Sequence, residues 1–186
     1  MGVAGSGKTT LSKEILRRVS AVYLDNNHIV DAFFPNTRNG KAYMKLRPRF
    51  YHALYAIAEE NLKVGNNVLL DVPHVKEMQD PNWRAFIKRL VARTGAQLVV
   101  IRCLCSDSVL YARLRSRAEA RDRWKLQRWK VFLRQQPIKA RLTFPHLDID
   151  TEKRSSENVA AAVRYILRSG AGRIRGLTAT PKSSRA

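Results

Sequence analysis

Apolar positions recur along this chain with two different periods, and their alternation sets the order of its elements. Leu11, Ile15, Leu16 and Val19 form one stripe three and four residues apart, with Lys13, Arg17 and Arg18 outside it. That spacing predicts an amphipathic helix soon after residue 8. The run AVYLD (21–25) predicts a short buried strand ending on Asp25. The following NNHIVDAFFPNTRNGK mixes turn formers with a few apolar residues, and 35–41 reads as a surface loop. A helix is expected from near Pro48, which suits a first turn, to Gly65, with Phe50, Leu54, Ile57, Ala58 and Leu62 on one face. NNVLLDV (66–72) predicts a second strand ending around Asp71. A helix over 81–94 carries Trp83, Phe86, Ile87 and Leu90, with Gly95 as its stop.

AQLVVIRCLC is a third, almost continuously apolar strand, the pattern of a sheet covered on both faces. Residues 106–137 read as mostly helical and strongly basic. HLDIDT (146–151) is the last strand, and Ser155 or Ser156 caps a final helix with Val159, Ala160, Val163 and Ile166 in a stripe and Gly170 at its end. Strands alternating with helices, without an internal repeat, predict an α/β, three-layer, doubly wound parallel sheet.

Composition narrows this picture modestly. At 186 residues and 45% hydrophobic content, a single α/β domain over 1–168 is expected, with a helical lid at about 106–137 and a flexible basic tail at 169–186. The formal net charge of +20 favours anionic partners such as nucleotides, phosphorylated metabolites or nucleic acid. No apolar run is long enough to span a bilayer and no secretory signal is visible, so a cytoplasmic location and no membrane role are expected. Cys103 and Cys105, spaced C-x-C, fit neither metal nor disulfide spacing and read as buried thiols.

The chemistry begins at residue 2. Gly2, Gly7, Lys8 and Thr9 fit G-x-x-x-x-G-K-[ST], the Walker A pattern. Gly2, Gly5, Ser6 and Gly7 would turn main-chain N–H groups onto phosphate oxygens, and Lys8 would reach the β- and γ-phosphates. The Thr9 hydroxyl would ligate Mg²⁺, and Thr10 with the first helical amides would complete the anion site. Such a loop normally hangs from a buried central strand, yet only Met1 precedes Gly2 here. The expectation is therefore that several apolar residues precede Met1 in the native protein.

Carboxylates at strand ends are the next candidates. Asp71 would hold the Mg²⁺ shell, and Asp25 would accept a proton from, or orient, a substrate hydroxyl. Asn26, His28 and Asp31 read as turn or cap residues more readily than as substrate contacts. Arg113, Arg117 and Arg121, four residues apart, would gather three guanidiniums on one helical face above transferring phosphate. Leu110 and Leu114 would attach that helix to the body, and Trp124, Trp129, Phe132 and Leu133 read as a packing stripe.

Taken in order across residues 1–168, GVAGSGKTT, YLD, NNVLLDV, RLRSR and IDT resemble the small P-loop kinases related to zeta toxin and chloramphenicol phosphotransferase. Many proteins of that kind are described only as predicted kinases or AAA-type ATP-binding proteins. The resemblance implies ATP and Mg²⁺ at Lys8 and Thr9, Asp25 as substrate-activating carboxylate, Arg113 and Arg117 as lid arginines, and Thr151 near adenine. It also implies a five-stranded parallel sheet with the P-loop strand at its centre. The loop is similar to that of gluconate kinases too, but their D-G-D-x-x-H-P stretch is replaced by LDNNHIVDAFFP, so that substrate does not carry over. The expected activity is ATP/Mg-dependent transfer to a hydroxyl of a small, anionic metabolite or nucleotide-sugar-like acceptor. A nucleic-acid 5′-hydroxyl kinase and an ATP-binding regulatory module without transfer activity are the alternatives.

Overall fold

Helix α1 (Lys8–Leu16) springs straight from the glycine-rich loop and buries Leu11, Ser12 and Ile15. The computed structural model describes residues 1–36, 38, 40–136 and 140–170. After α1 the order is β1 (Val22–Asp25), α2 (Asn26–Phe33), α3 (Lys41–Lys63), β2 (Val68–Asp71), α4 (Pro81–Thr94) and β3 (Val100–Leu104). The lid follows as α5 (Asp107–Arg117), a 3-10 turn (Ala120–Asp122), α6 (Arg123–Gln127) and α7 (Trp129–Gln135). Strand β4 (His146–Asp150) and α8 (Ser155–Arg168) close the fold.

The strands pair in parallel, as their apolar runs predict. β1 lies on β2 with Val22 opposite Val68 and Asp25 opposite Asp71, so both strand-end carboxylates come to one edge. β3 lies on β4 with Val100 opposite His146 and Leu104 opposite Asp150. Among the described residues the sheet is thus two parallel pairs, not the five connected strands the resemblance implies. Met1 and Gly2 run between the pairs. The Met1 amino group donates to the Ile101 carbonyl at 2.5 Å, and Cys103 N donates to the Met1 carbonyl at 2.9 Å. Gly2 N donates to the Pro73 carbonyl at 3.1 Å. A cavity of about 560 Å³ lies alongside, lined by Leu11, Ile15, Leu69, Leu70, Val100 and Ile101. The strand expected ahead of Met1 concerns residues outside this sequence.

Packing then explains how the site is held. Leu11, Ile15 and Val19 meet Val159, Ala162 and Ile166 of α8 across Cys103 and Ile149. Leu110 and Leu114, both fully buried, pin α5 beside Val3, Val75 and Phe132. Each such leucine contributes about 1.5–3 kcal/mol of burial. Trp124, Trp129 and Leu133 pack against this cluster, as the stripe predicts. Cys103 and Cys105 are free and buried.

Four boundaries differ from the sequence reading, each for a local reason. Asp25 does not begin a loop: its side chain accepts from Asn27 N and caps α2. Helix α3 starts at Lys41, with Pro48 inside it. Pro48 forfeits one backbone bond there, but Tyr43 is buried in the preceding turn and Arg47 is anchored to Glu77, which keeps the first turns helical. The lid helix ends at Ala118 with φ 53°, so Arg121 sits in the 3-10 turn and not on the face shared by Arg113 and Arg117. Ser155 is the first residue of α8, with Arg154 at the cap position and no side-chain cap bond. Gly95 closes α4 at φ 64°, as expected. Among the described residues no helix is long and apolar enough to cross a membrane. The proposed tail lies outside the described residues beyond Gly170.

Candidate active site

Backbone geometry makes the loop from Gly2 to Gly7 a phosphate-sized cradle. Gly2 has φ 145°, and a Cβ there would stand 2.5 Å from Ser6 Oγ and 2.7 Å from the Cys103 carbonyl. At Gly7, φ 84° and a Cβ position 3.2 Å from Thr151 bring the loop against the end of β4. Only glycine fits either place. Lys8 folds back across the loop, its Nζ donating to the Val3 carbonyl at 2.9 Å. Burial pulls the Lys8 ammonium pKa down, while the Asp71 carboxylate opposes that shift. A phosphate oxygen arriving in the cradle would satisfy this ammonium better than one carbonyl does. The Ser6 hydroxyl, fully buried, also has no partner among the described residues.

The two strand-end carboxylates are linked through hydroxyls. Thr9 Oγ1 donates to Asp71 Oδ2 at 2.6 Å. The Tyr23 hydroxyl lies 3.1 Å from that same oxygen and 3.3 Å from Asp25 Oδ2. Burial and both carboxylates push the Tyr23 phenol up, so it stays a donor. Asp71 Oδ1 is buried and has no partner among the described residues. A hard-oxygen pair of Thr9 and Asp71 with one orphaned carboxylate oxygen fits Mg²⁺. No cluster of three or more His, Cys, Asp or Glu able to hold a metal occurs among the described residues, so such an ion would need phosphate and water for its remaining ligands.

A cleft of about 1100 Å³ opens over these groups. Its floor is Gly5, Gly7, Lys8, Thr9 and Asp71; Thr10 lines it as well. One wall carries Asn26, Asn27, Arg38, Tyr43, Arg47 and Tyr51, and the lid presents Arg113, Arg117, Arg121 and Lys125. Thr151, Lys153, Ser155 and Asn158 close the far end. Asp25 stands behind Asn26 and does not itself line the cleft: its Oδ1 takes both Asn27 N and Nδ2 at 2.8 Å.

The expected lid arginines reach the cleft but are engaged. Arg113 donates to Thr151 Oγ1 at 2.8 Å and to the Thr151 carbonyl at 2.7 Å, tying α5 to the end of β4. Arg117 Nε donates to Asp122 at 2.9 Å, and Lys125 binds that same buried carboxylate. Spacing along the sequence marks neither Tyr23, nor Arg38 and Arg47, nor the carboxylates Glu77 and Asp122 that hold cations here, whereas Asp31 is among its turn or cap residues. Asn26 reads from sequence as a turn or cap residue more readily than as a substrate contact. Only its position directly after a strand-end aspartate could have marked it, because an isolated arginine in a loop carries no periodic signal.

A Walker A loop feeding a helix, a carboxylate on a parallel strand beside it and a helical lid over the cleft define an α/β protein of the P-loop kinase fold. More narrowly, the chain belongs to the family described as AAA domain, whose model matches residues 1–137. Solved structures agree on the fold. A candidate kinase from Chloroflexus aurantiacus is 20% identical with a TM-score of 0.65, covering 91% of this chain and 95% of its own. The Mycobacterium tuberculosis APS kinase CysC, solved with AMPPNP and APS, is 17% identical with a TM-score of 0.63, covering 90% and 94%. A gluconokinase from Sinorhizobium meliloti is 15% identical with a TM-score of 0.54, covering 90% and 89%. Among curated proteins none matches the chain. These comparisons reach the AAA domain family and the kinase fold, not the finer zeta-toxin grouping.

Proposed function

We propose that this chain is an ATP- and Mg²⁺-dependent phosphotransferase acting on a hydroxyl of a small molecule. The observation that carries the reading is the Lys8 cradle and the Thr9–Asp71 pair on the floor of one cleft that the arginine-rich lid covers. The names of the structural neighbours, two of them kinases of small metabolites, support it.

In this reading the amides of Gly5, Ser6 and Gly7 hold the phosphates and Lys8 leaves Val3 to neutralise the β- and γ-oxygens. Thr10 and the α1 amides add to that anion site, and Thr151 borders the adenine end. Thr9 and Asp71 would hold Mg²⁺, which when bound supplies charge neutralisation across the phosphates. Arg113 and Arg117 lie on the lid side, where a transferring phosphoryl group spreads its charge over equatorial oxygens. Asp25, set back from the cleft surface, orients or deprotonates the acceptor hydroxyl through an intervening water. The nucleic-acid reading gains nothing from the site. The cleft's Arg38, Arg47, Arg117 and Arg121 are each paired with a carboxylate of the chain itself.

Asp25→Asn tests the chemistry, because asparagine caps a helix about as well as aspartate. With γ-labelled ATP and pooled hydroxylated metabolites, the variant is expected to fold and bind ATP like the parent yet lose label transfer. Transfer at the parent rate would reduce Asp25 to a helix cap.

A further inference from the structure

Two polar atoms beside the strand-end aspartates are buried without a partner among the described residues: Oδ1 of Asn26 and Nε of Arg38. Both residues line the cleft, and Asn26 is only 5% exposed. A buried polar atom in that state is costly unless a ligand reaches it. Arg38 is fixed next to the start of α2, where its Nη1 donates to the Oδ1 of Asn27, the neighbour of Asn26, at 2.8 Å.

The remaining donors of Arg38 explain what kind of ligand fits. Arg38 Nη2 binds one oxygen of Asp31, and Arg121 Nη1 binds the other. One guanidinium comes from the segment after α2 and the other from the lid turn, so a single carboxylate is gripped from two sides. Exposure sorts these three partners. The arginine side chains are 14% and 15% exposed, whereas Asp31 is 34% exposed. Asp31 can therefore return to water at small cost, but the two guanidiniums cannot: Arg38 would lose its carboxylate partner and Arg121 would keep only Glu119 among the described residues, 3.7 Å away. Whatever removes Asp31 must bring its own oxygens.

We propose that Asn26, Arg38 and Arg121 form the acceptor subsite, that it takes a small hydroxylated oxyanion, and that Asp31 fills the anion's place when the acceptor is absent. Asn26 Oδ1 accepts from a hydroxyl of the acceptor other than the one that Asp25 serves, while the two arginines hold its carboxylate, phosphate or sulfate group. Because Arg121 belongs to the lid, the bound acceptor bridges lid and body as Asp31 does now. The inference rests on the phosphotransferase reading and names the acceptor class of that same site.

The test uses the full chain saturated with Mg²⁺ and AMPPNP, so that the phosphate loop is filled, and titrates inorganic sulfate, inorganic phosphate and glycerol by calorimetry. Sulfate and phosphate are expected to bind and glycerol is not. Arg38→Gln and Arg121→Gln should each weaken sulfate about tenfold or more, the loss of one charge-assisted contact. Asp31→Asn should tighten it about threefold or more, the sign expected when a competing carboxylate is removed. Glu14→Gln, an equal charge change on the exposed face of α1, should leave the affinity unchanged. Should an arginine variant fail to fold, the Asp31→Asn result decides alone. The proposal is overturned if wild type binds neither anion, if folded Asp31→Asn binds sulfate no more tightly than wild type, or if folded Arg121→Gln binds it equally well. A chain that fails to bind AMPPNP at all defeats the phosphotransferase reading instead, whatever sulfate does.

Discussion

Single atoms carry most of the chemical argument. Lys8, Thr9 and Asp71 were legible because the Walker A pattern fixes their types and spacing, and VLLD ends an apolar strand at its carboxylate. Their present partners were not legible. Lys8 on the Val3 carbonyl and Thr9 on Asp71 arise from a loop closing on itself and from two strands meeting, which no local spacing records. Asp71, with its orphaned Oδ1, yields a direct prediction. Asp71→Asn keeps a hydrogen-bond acceptor for Thr9 but removes the negative charge. Nucleotide affinity measured without metal should stay near that of the parent, while the tightening caused by Mg²⁺ should fall about tenfold or more. An unchanged magnesium effect in calorimetry would remove Asp71 from the metal site.

Elements show where pattern reading succeeds and where tertiary contacts take over. Helix α4 and its Gly95 stop match the sequence reading residue for residue, because Pro81, an amphipathic stripe and an αL glycine all agree. Helix α2 escaped it: Asp25, Asn26 and Asn27 are turn formers by composition, and only the cap bond from Asn27 N to Asp25 makes them a helix start. Arg121 left its expected face for a similar reason, since Ala118 turns left-handed before it. Helix α3 leaves a measurable trace of conflict. Pro48 lies inside it, and a proline in a helix interior costs up to about 3 kcal/mol relative to alanine. Pro48→Ala should therefore raise stability by about 1–3 kcal/mol in urea unfolding. A lower or equal stability would mean that the ring makes contacts worth as much as the missing bond.

Whole-molecule behaviour follows from where the acidic groups sit. The chain has 15 acidic against 35 basic side chains, and several of its carboxylates serve as internal struts. Burial pushes the Glu77 carboxyl up, but His74 and Arg47 outweigh it and bring it down to about 2. Burial likewise opposes ionisation of Asp122, yet Lys125 and Arg117 hold it below the usual carboxylate range. The Arg102 hydrogen bond does the same for Asp148 on β4. Each folded-state pKa is depressed, so the stability these groups supply is complete above the unfolded values near about 4. It is then lost as pH falls through the folded ones. Burial also lowers the His74 imidazole, so the melting temperature should begin to decline as pH falls through about 6.5 and fall more steeply below about 4, where the carboxylates join. Asp148→Asn should lower it at neutral pH and make the acid limb shallower. An acid limb identical in the variant would contradict the assignment.

At this same scale the account stands on one claim, that the loop between Gly2 and Thr9 holds a nucleotide's phosphates. Calorimetric titration of the intact chain with ATP and Mg²⁺ reads that claim most directly. The account predicts one site per chain, and a loss of about tenfold to a hundredfold in Lys8→Ala, the worth of one charge-assisted contact. Folded protein that gives no binding heat with either ATP or GTP, or a Lys8→Ala variant that binds as tightly as the parent, would contradict it.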